Sequence, residues 1–161
     1  MVTILRLIHI GAGAFWAGAA MLMGWFLAPA AREVGPAAGP LMQGLLKRNL
    51  TGKLIASGAV TVLAGLWLFA LRTPTFRRWQ DYALAVGALA AIVALAIGIT
   101  LQRPTGKRVQ MLGAAIVGGG GPPTQAQAEE MAGLQVKMAS YGNLLAYLFA
   151  LALAGMALGG S

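Results

Sequence analysis

No cysteine occurs among the 161 residues, so disulfides, thiolate metal sites and cysteine nucleophiles are excluded. Histidine appears once, at position 9, which rules out an HExxH helix or a two-histidine metal cluster within one chain. The acidic residues number four, Glu33, Asp81, Glu129 and Glu130, and all lie outside the long apolar runs. Hydrolysis by paired carboxylates therefore has nothing to work with, and an ion-coupled transport path would lack its usual intramembrane acids. Walker loops and GxSxG elbows are missing as well. Charge of either sign is scarce, 10% of residues against roughly a quarter in a soluble domain.

Apolar sequence fills the space, at 58% of the chain. Uncharged runs long enough to cross a hydrocarbon core of ~30 Å, about 20 helical residues each, recur at about residues 7–30, 54–71, 82–101 and 138–158. The pattern predicts an all-α integral membrane protein, a four-transmembrane-helix up-down bundle with short interfacial helices, forming a single membrane domain over 1–161. The first run follows Arg6 and contains Ala28-Pro29-Ala30, which gives it the look of a signal peptide. It exceeds the about 7–15 residues of an h-region and reads as a span.

The net charge of +8 is spread through short loops beside the spans. That placement suits anionic headgroups of the lipid bilayer and implies no nucleic-acid partner. One side collects Arg32, Lys47, Arg48, Lys53, Arg103, Lys107, Arg108 and Lys137; the other has Arg6, Arg72, Arg77 and Arg78. The positive-inside rule then puts the first and third loops in the cytoplasm and both termini outside.

Within the first loop, "GPAAGP" breaks the helix, and residues 40–50 follow with Leu41, Leu45 and Leu46 on one face, an expected interfacial helix. Residues 105–117, "TGKRVQMLGAAIV", carry Val109, Leu112 and Ile116 at helical spacing and read as a second interfacial segment. "GGGGPP" at 118–123 interrupts the chain. Thr124 followed by Gln127 then matches a capping box, so the fourth helix is expected to begin near Gln125, with 124–137 protruding and displaying Glu129, Glu130 and Gln135.

Helices associate in lipid through close packing at small residues. The expected stripes are Gly11, Ala14 and Gly18 in the first span, Gly58, Thr61 and Gly65 in the second, Gly87, Ala91, Ala94 and Gly98 in the third, and Gly142 and Gly155 in the fourth. The short 72–81 connection predicts that spans two and three are antiparallel neighbours. Trp25, Trp67, Trp79, Tyr82 and Tyr141 fall near span ends, where amphipathic rings anchor to the interface. A polar stripe is expected from Asn143 and Tyr147, one turn apart, together with Ser57 or Thr61, either as helix-to-helix hydrogen bonds or as a small-ligand pocket.

His9 is the one candidate for chemistry, since imidazole ligates haem iron and moves protons near neutral pH. Trp16, seven residues on, shares its helix face, and in an antiparallel bundle Tyr82 and Met156 reach its level. These four residues, His9, Trp16, Tyr82 and Met156, make a hypothetical haem site, with His9 as the iron ligand; a bridge from His9 to Asp81 or Tyr82 and an interfacial histidine satisfied by water, Tyr82 or a carbonyl are the alternatives.

Span one, "LIHIGAGAFWAG", with histidine near the helix start, tryptophan seven residues later and then glycine, resembles the first helix of the HemJ and CopD group of small bacterial membrane proteins. The second helix, "LLKRNLTGKLIASGAVTVLAGLWLF", is similar to that group in its basic start and "GLWL" exit, so the resemblance covers roughly the first half of the chain. For a HemJ-type protein it would imply haem b and oxidation of protoporphyrinogen in the bacterial cytoplasmic membrane, with His9 as the matching histidine. This chain has "WQDYALAVGALAA" where that type has a lysine at the start of helix three, and it has no second histidine. The resemblance thus carries a broad four-helix membrane group rather than its catalysis. The function expected is a non-catalytic subunit or packing partner of a larger membrane assembly, with a protein partner or a second copy of itself. The alternatives are a haem b redox protein centred on His9 and a small-molecule or copper transport component.

Overall fold

In the computed structural model, which describes residues 1–72 and 76–159, the chain folds into five helices: α1 Val2–Val34, α2 Gly39–Lys47, α3 Leu50–Arg72, α4 Trp79–Gly118 and α5 Gln125–Gly159. No strand occurs among the described residues. All but α2 are long and apolar enough to cross a membrane. Large apolar side chains are exposed along the whole of each, for example Ile10, Leu63, Leu89 and Leu151. In water such surface would drive aggregation; against lipid tails it costs nothing.

Two of the long helices pass through a proline without stopping. Pro29 and Pro104 each lie just beyond a π-helical turn, Met23–Leu27 in α1 and Gly98–Gln102 in α4. A proline removes one backbone donor and crowds the carbonyl four residues earlier, and the wider turn relieves that crowding. α4 therefore runs for 40 residues, about 60 Å at 1.5 Å each. Here the structure corrects the sequence reading. Residues 105–117 do not form a separate interfacial helix; they continue α4 beyond Pro104.

Their apolar face exists, and it packs on α5. Leu112 is buried between the two helices, and Gly106 and Gly113 lie opposite the methyl groups of Met138 and Met131. Arg108 Nε donates to Glu130 Oε1 at 2.6 Å across the same seam. That hydrogen bond holds the Glu130 carboxyl below its ordinary range. The start of α5 is a reciprocal capping box: the Thr124 N–H donates to Gln127 Oε1 at 3.0 Å, and the Gln127 N–H donates to Thr124 Oγ1 at 3.3 Å. The ends of α4 and α5 thus make an antiparallel hairpin that extends past the roughly 20 residues a bilayer requires.

The four long helices form two tightly joined pairs, α1 with α3 and α4 with α5, while α3 and α4 touch only sparingly. Spans two and three, expected as antiparallel neighbours, do touch, but each has its main contact with another helix; residues 73–75 of their connection lie outside the described residues. In the α4/α5 pair a Cβ at Gly155 would lie 2.5 Å from the Ala83 carbonyl oxygen and 2.7 Å from Gly87 Cα, so backbone touches backbone. Arg72 Nη1 donates to the Gly159 carbonyl at 2.7 Å and caps the far end of α5. The pairs meet where α1 crosses α5. A Cβ at Gly24 would stand 2.7 Å from the Gly142 carbonyl oxygen, and the Trp16 and Phe149 rings meet edge-on at 4.6 Å. Around this crossing the core is mostly alanine, with Ala17, Ala90, Ala91, Ala94 and Ala152 beside Leu145.

The small-residue stripes of α3, α4 and α5 face their neighbours as expected, apart from Gly98, which meets nothing. The stripe of α1 does not. Gly11, Ala14 and Gly18 are exposed, and the face turned inward carries Gly13, Trp16, Ala17 and Gly24.

Candidate functional site

The seam between α1 and α3 is built from two seven-residue spacings that run in opposite directions. On α1, His9 and Trp16 project from one face; on α3, Gly65 and Gly58 receive them. A Cβ at Gly58 would lie 2.6 Å from Trp16 Cε2, and one at Gly65 would lie 2.7 Å from His9 Cε1. Between them Gly13 accommodates the methyl group of Thr61, which a Cβ would meet at 3.2 Å.

The imidazole in its slot is also bonded. His9 Nδ1 lies 2.8 Å from the Thr61 carbonyl oxygen. A carbonyl can only accept, so Nδ1 carries the hydrogen and donates it. Gly65 is four residues beyond Thr61, and its missing side chain leaves that carbonyl reachable from the adjacent helix. In the neutral ring Nε2 then keeps its lone pair, and it has no hydrogen-bond partner among the described residues. The hydroxyls of α3 are occupied locally, Thr61 Oγ1 donating to the Ser57 carbonyl at 2.7 Å and Ser57 Oγ to the Leu54 carbonyl at 3.0 Å.

Above the Trp16–Phe149 contact the two helix pairs diverge and leave a half-open cleft of about 320 Å³. Its walls include His9, Gly13, Trp16, Thr61, Phe149 and Met156. Exposed residues, Ile10 and Ala14 on α1 and Leu153 and Ala157 on α5, form the mouth. No charged side chain lines it.

Of the four residues expected around a haem, the structure brings His9, Trp16 and Met156 to this cleft. Tyr82 stays away: it is exposed at the start of α4, its ring 5.7 Å from that of Phe76. Asp81 is buried there too, but the His9 bond goes to Thr61 and not to Asp81 or Tyr82. The expected polar stripe is not assembled. Asn143 and Tyr147 are exposed on α5, because that helix buries Leu145, Ala146, Phe149 and Ala152 and so turns positions 143 and 147 outward. Tyr147 meets Trp25 edge-on at 6.1 Å, while Thr61 is buried beside His9 and Ser57 lies a turn further along α3.

A carbonyl was among the partners expected for His9, but which one was not legible, since a backbone carbonyl has no signature of its own. The signal was the matched spacing, His9 to Trp16 and Gly58 to Gly65. No group of three or more histidine, cysteine or acidic residues able to hold a metal ion occurs among the described residues. Compared with known protein families, curated proteins and solved structures, the chain finds no match.

Proposed function

We propose that this chain is a non-catalytic integral membrane protein that packs against a larger membrane assembly or a second copy of itself. The supporting observation is the stripe left over on α1. Gly11, Ala14 and Gly18 are exposed, and a Cβ at Gly11 or Gly18 would meet nothing within 4 Å, although each internal seam of the bundle is built on such residues. The orientation that goes with this reading has both termini outside the cytoplasmic membrane, since eight of the twelve basic residues fall on the side of the α4/α5 hairpin tip. The chain lacks cysteine, so one introduced at Gly18 is a clean cross-linking probe. Cross-linking to itself or to a defined membrane protein supports the proposal. A monomer that cross-links to nothing in its native membrane overturns it.

A second reading has a specific observation behind it: a histidine whose Nδ1–H is fixed by a carbonyl presents Nε2 in the manner of a haem ligand. His9 and the Met156 thioether line one cavity and form a suitable donor pair, and haem bound there would supply one-electron chemistry. Its planar macrocycle would stand partly through the open mouth. A visible spectrum before and after dithionite, beside His9→Ala, tests this: a Soret band that shifts on reduction and disappears in the variant supports haem, and a flat spectrum removes it.

A further inference from the structure

The cleft beside His9 has a chemistry narrower than its apolar walls suggest. Its mouth opens sideways between α1 and α5, among residues that face the bilayer, so what enters comes from the lipid phase. Its volume of about 320 Å³ sits at the lower end of the roughly 300–1,000 Å³ range of small-ligand pockets. The absence of charged side chains in the lining gives an ionic headgroup no partner. The inner end is aromatic, formed by Trp16 and Phe149, a surface that favours a flat ring over an alkyl chain.

Polarity is set by His9. Its Nδ1–H is already committed to Thr61, so the neutral ring offers an entering molecule an acceptor, Nε2, and no donor. A ketone or ether oxygen finds nothing at His9; a hydroxyl finds a fixed lone pair. The imidazole is held between the Gly65 backbone and the Thr61 carbonyl, so little ordering is needed when a ligand arrives.

We propose that this cleft binds a lipid-soluble aromatic alcohol, a phenol or quinol head on an apolar tail, with its hydroxyl donating to His9 Nε2. The proposal concerns binding and involves no reaction.

The single histidine makes the test direct, because histidine labelled with nitrogen-15 gives one pair of ring resonances. The protein in lipid nanodiscs is titrated with para-nonylphenol and, separately, with its methyl ether para-nonylanisole, which has the same body without the donor. The expected result is a saturable shift of the unprotonated Nε2 resonance by the phenol, with Nδ1 nearly unmoved, and binding of the ether at least about tenfold weaker. His9→Phe, of similar size, should bind the two probes alike. Ala157→Phe, at the exposed mouth, should exclude both while leaving the Nδ1 resonance of the parent. Equal binding of phenol and ether by the parent overturns the proposal, as does binding that leaves Nε2 unshifted or survives Ala157→Phe. A Soret band on the natively purified protein that the phenol cannot displace also overturns it, by giving Nε2 to haem. Should His9→Phe fail to fold, the comparison of the probes on the parent and Ala157→Phe still decides.

Discussion

Gly65→Ala is the smallest change that reaches His9. The added methyl would lie 2.7 Å from Cε1 and 3.0 Å from Nδ1, whereas carbon atoms pack at roughly 3.5–4.0 Å. The ring must retreat by about 0.8 Å or more, and the 2.8 Å bond to the Thr61 carbonyl then stretches to the roughly 3.5 Å at which it ceases to count. Loss of a helix-to-helix hydrogen bond in a membrane costs about 0.6–1.7 kcal/mol, and overpacking a close seam adds about 1–3 kcal/mol. Alanine returns up to about 1 kcal/mol as a better helix former than glycine. The net expectation is a loss of about 1–3 kcal/mol, read by reversible unfolding in mixed detergent micelles. With His9→Ala already in place the slot is empty, so the same substitution should be neutral or slightly stabilising. The double-mutant cycle should therefore show a coupling of about 1–4 kcal/mol between positions 9 and 65. An equal cost in both backgrounds would refute the account of the slot, because Gly65 would then matter for some reason other than the imidazole.

Gly155→Ala should be worse tolerated still, since its methyl would meet the Ala83 carbonyl oxygen at 2.5 Å and no side chain is there to move aside; a loss of at least about 2 kcal/mol is expected in the same assay, against a near-neutral Gly18→Ala. Trp16→Ala removes the ring that joins the two helix pairs at Phe149 and should cost about 3–5 kcal/mol while leaving α4 and α5 associated, as cross-linking between them would show. The Arg108–Glu130 pair links the exposed hairpin. Because the Glu130 carboxyl is held below its ordinary range, its contribution is present above the usual carboxylate pKa and is lost as pH falls through the depressed value. Spin labels at Gln110 and Ala132 should accordingly move apart on acidification in the parent, with no such pH step in Glu130→Gln.

Which parts of this arrangement the sequence announced follows from what each part depends on. Span positions depend on runs of uncharged residues, and all four long helices cover them. The capping box at Thr124 depends on two side chains at a fixed spacing and is formed as read. The continuation of α4 through Pro104 was not legible, since only the π turn ahead of that proline shows that the helix passes through. The Val109, Leu112 and Ile116 face was visible, but an apolar face does not say whether a headgroup layer or another helix will cover it. At the site, His9 and Trp16 were legible as neighbours on one face, and Met156 from the depth at which it lies. Tyr82 was drawn in by depth alone and turned out by rotation, as were Asn143 and Tyr147. Rotation about a helix axis is weakly encoded when the whole circumference is apolar, as it is here.

The division into two helix pairs also bears on how the chain is made. Synthesis delivers α1 and α3 first, and their seam of His9, Thr61, Trp16 and the α3 glycines is complete once Arg72 has left the ribosome. α4 and α5 emerge later as a second hairpin whose glycine seam likewise needs nothing from the first. The crossing at Gly24 and Gly142, the meeting of Trp16 with Phe149 and the bond from Arg72 to Gly159 must wait until both hairpins are made. The cleft beside His9 is therefore the last part of the molecule to acquire its walls, and a nascent chain halted before α5 would leave that imidazole without the wall that Phe149 and Met156 provide.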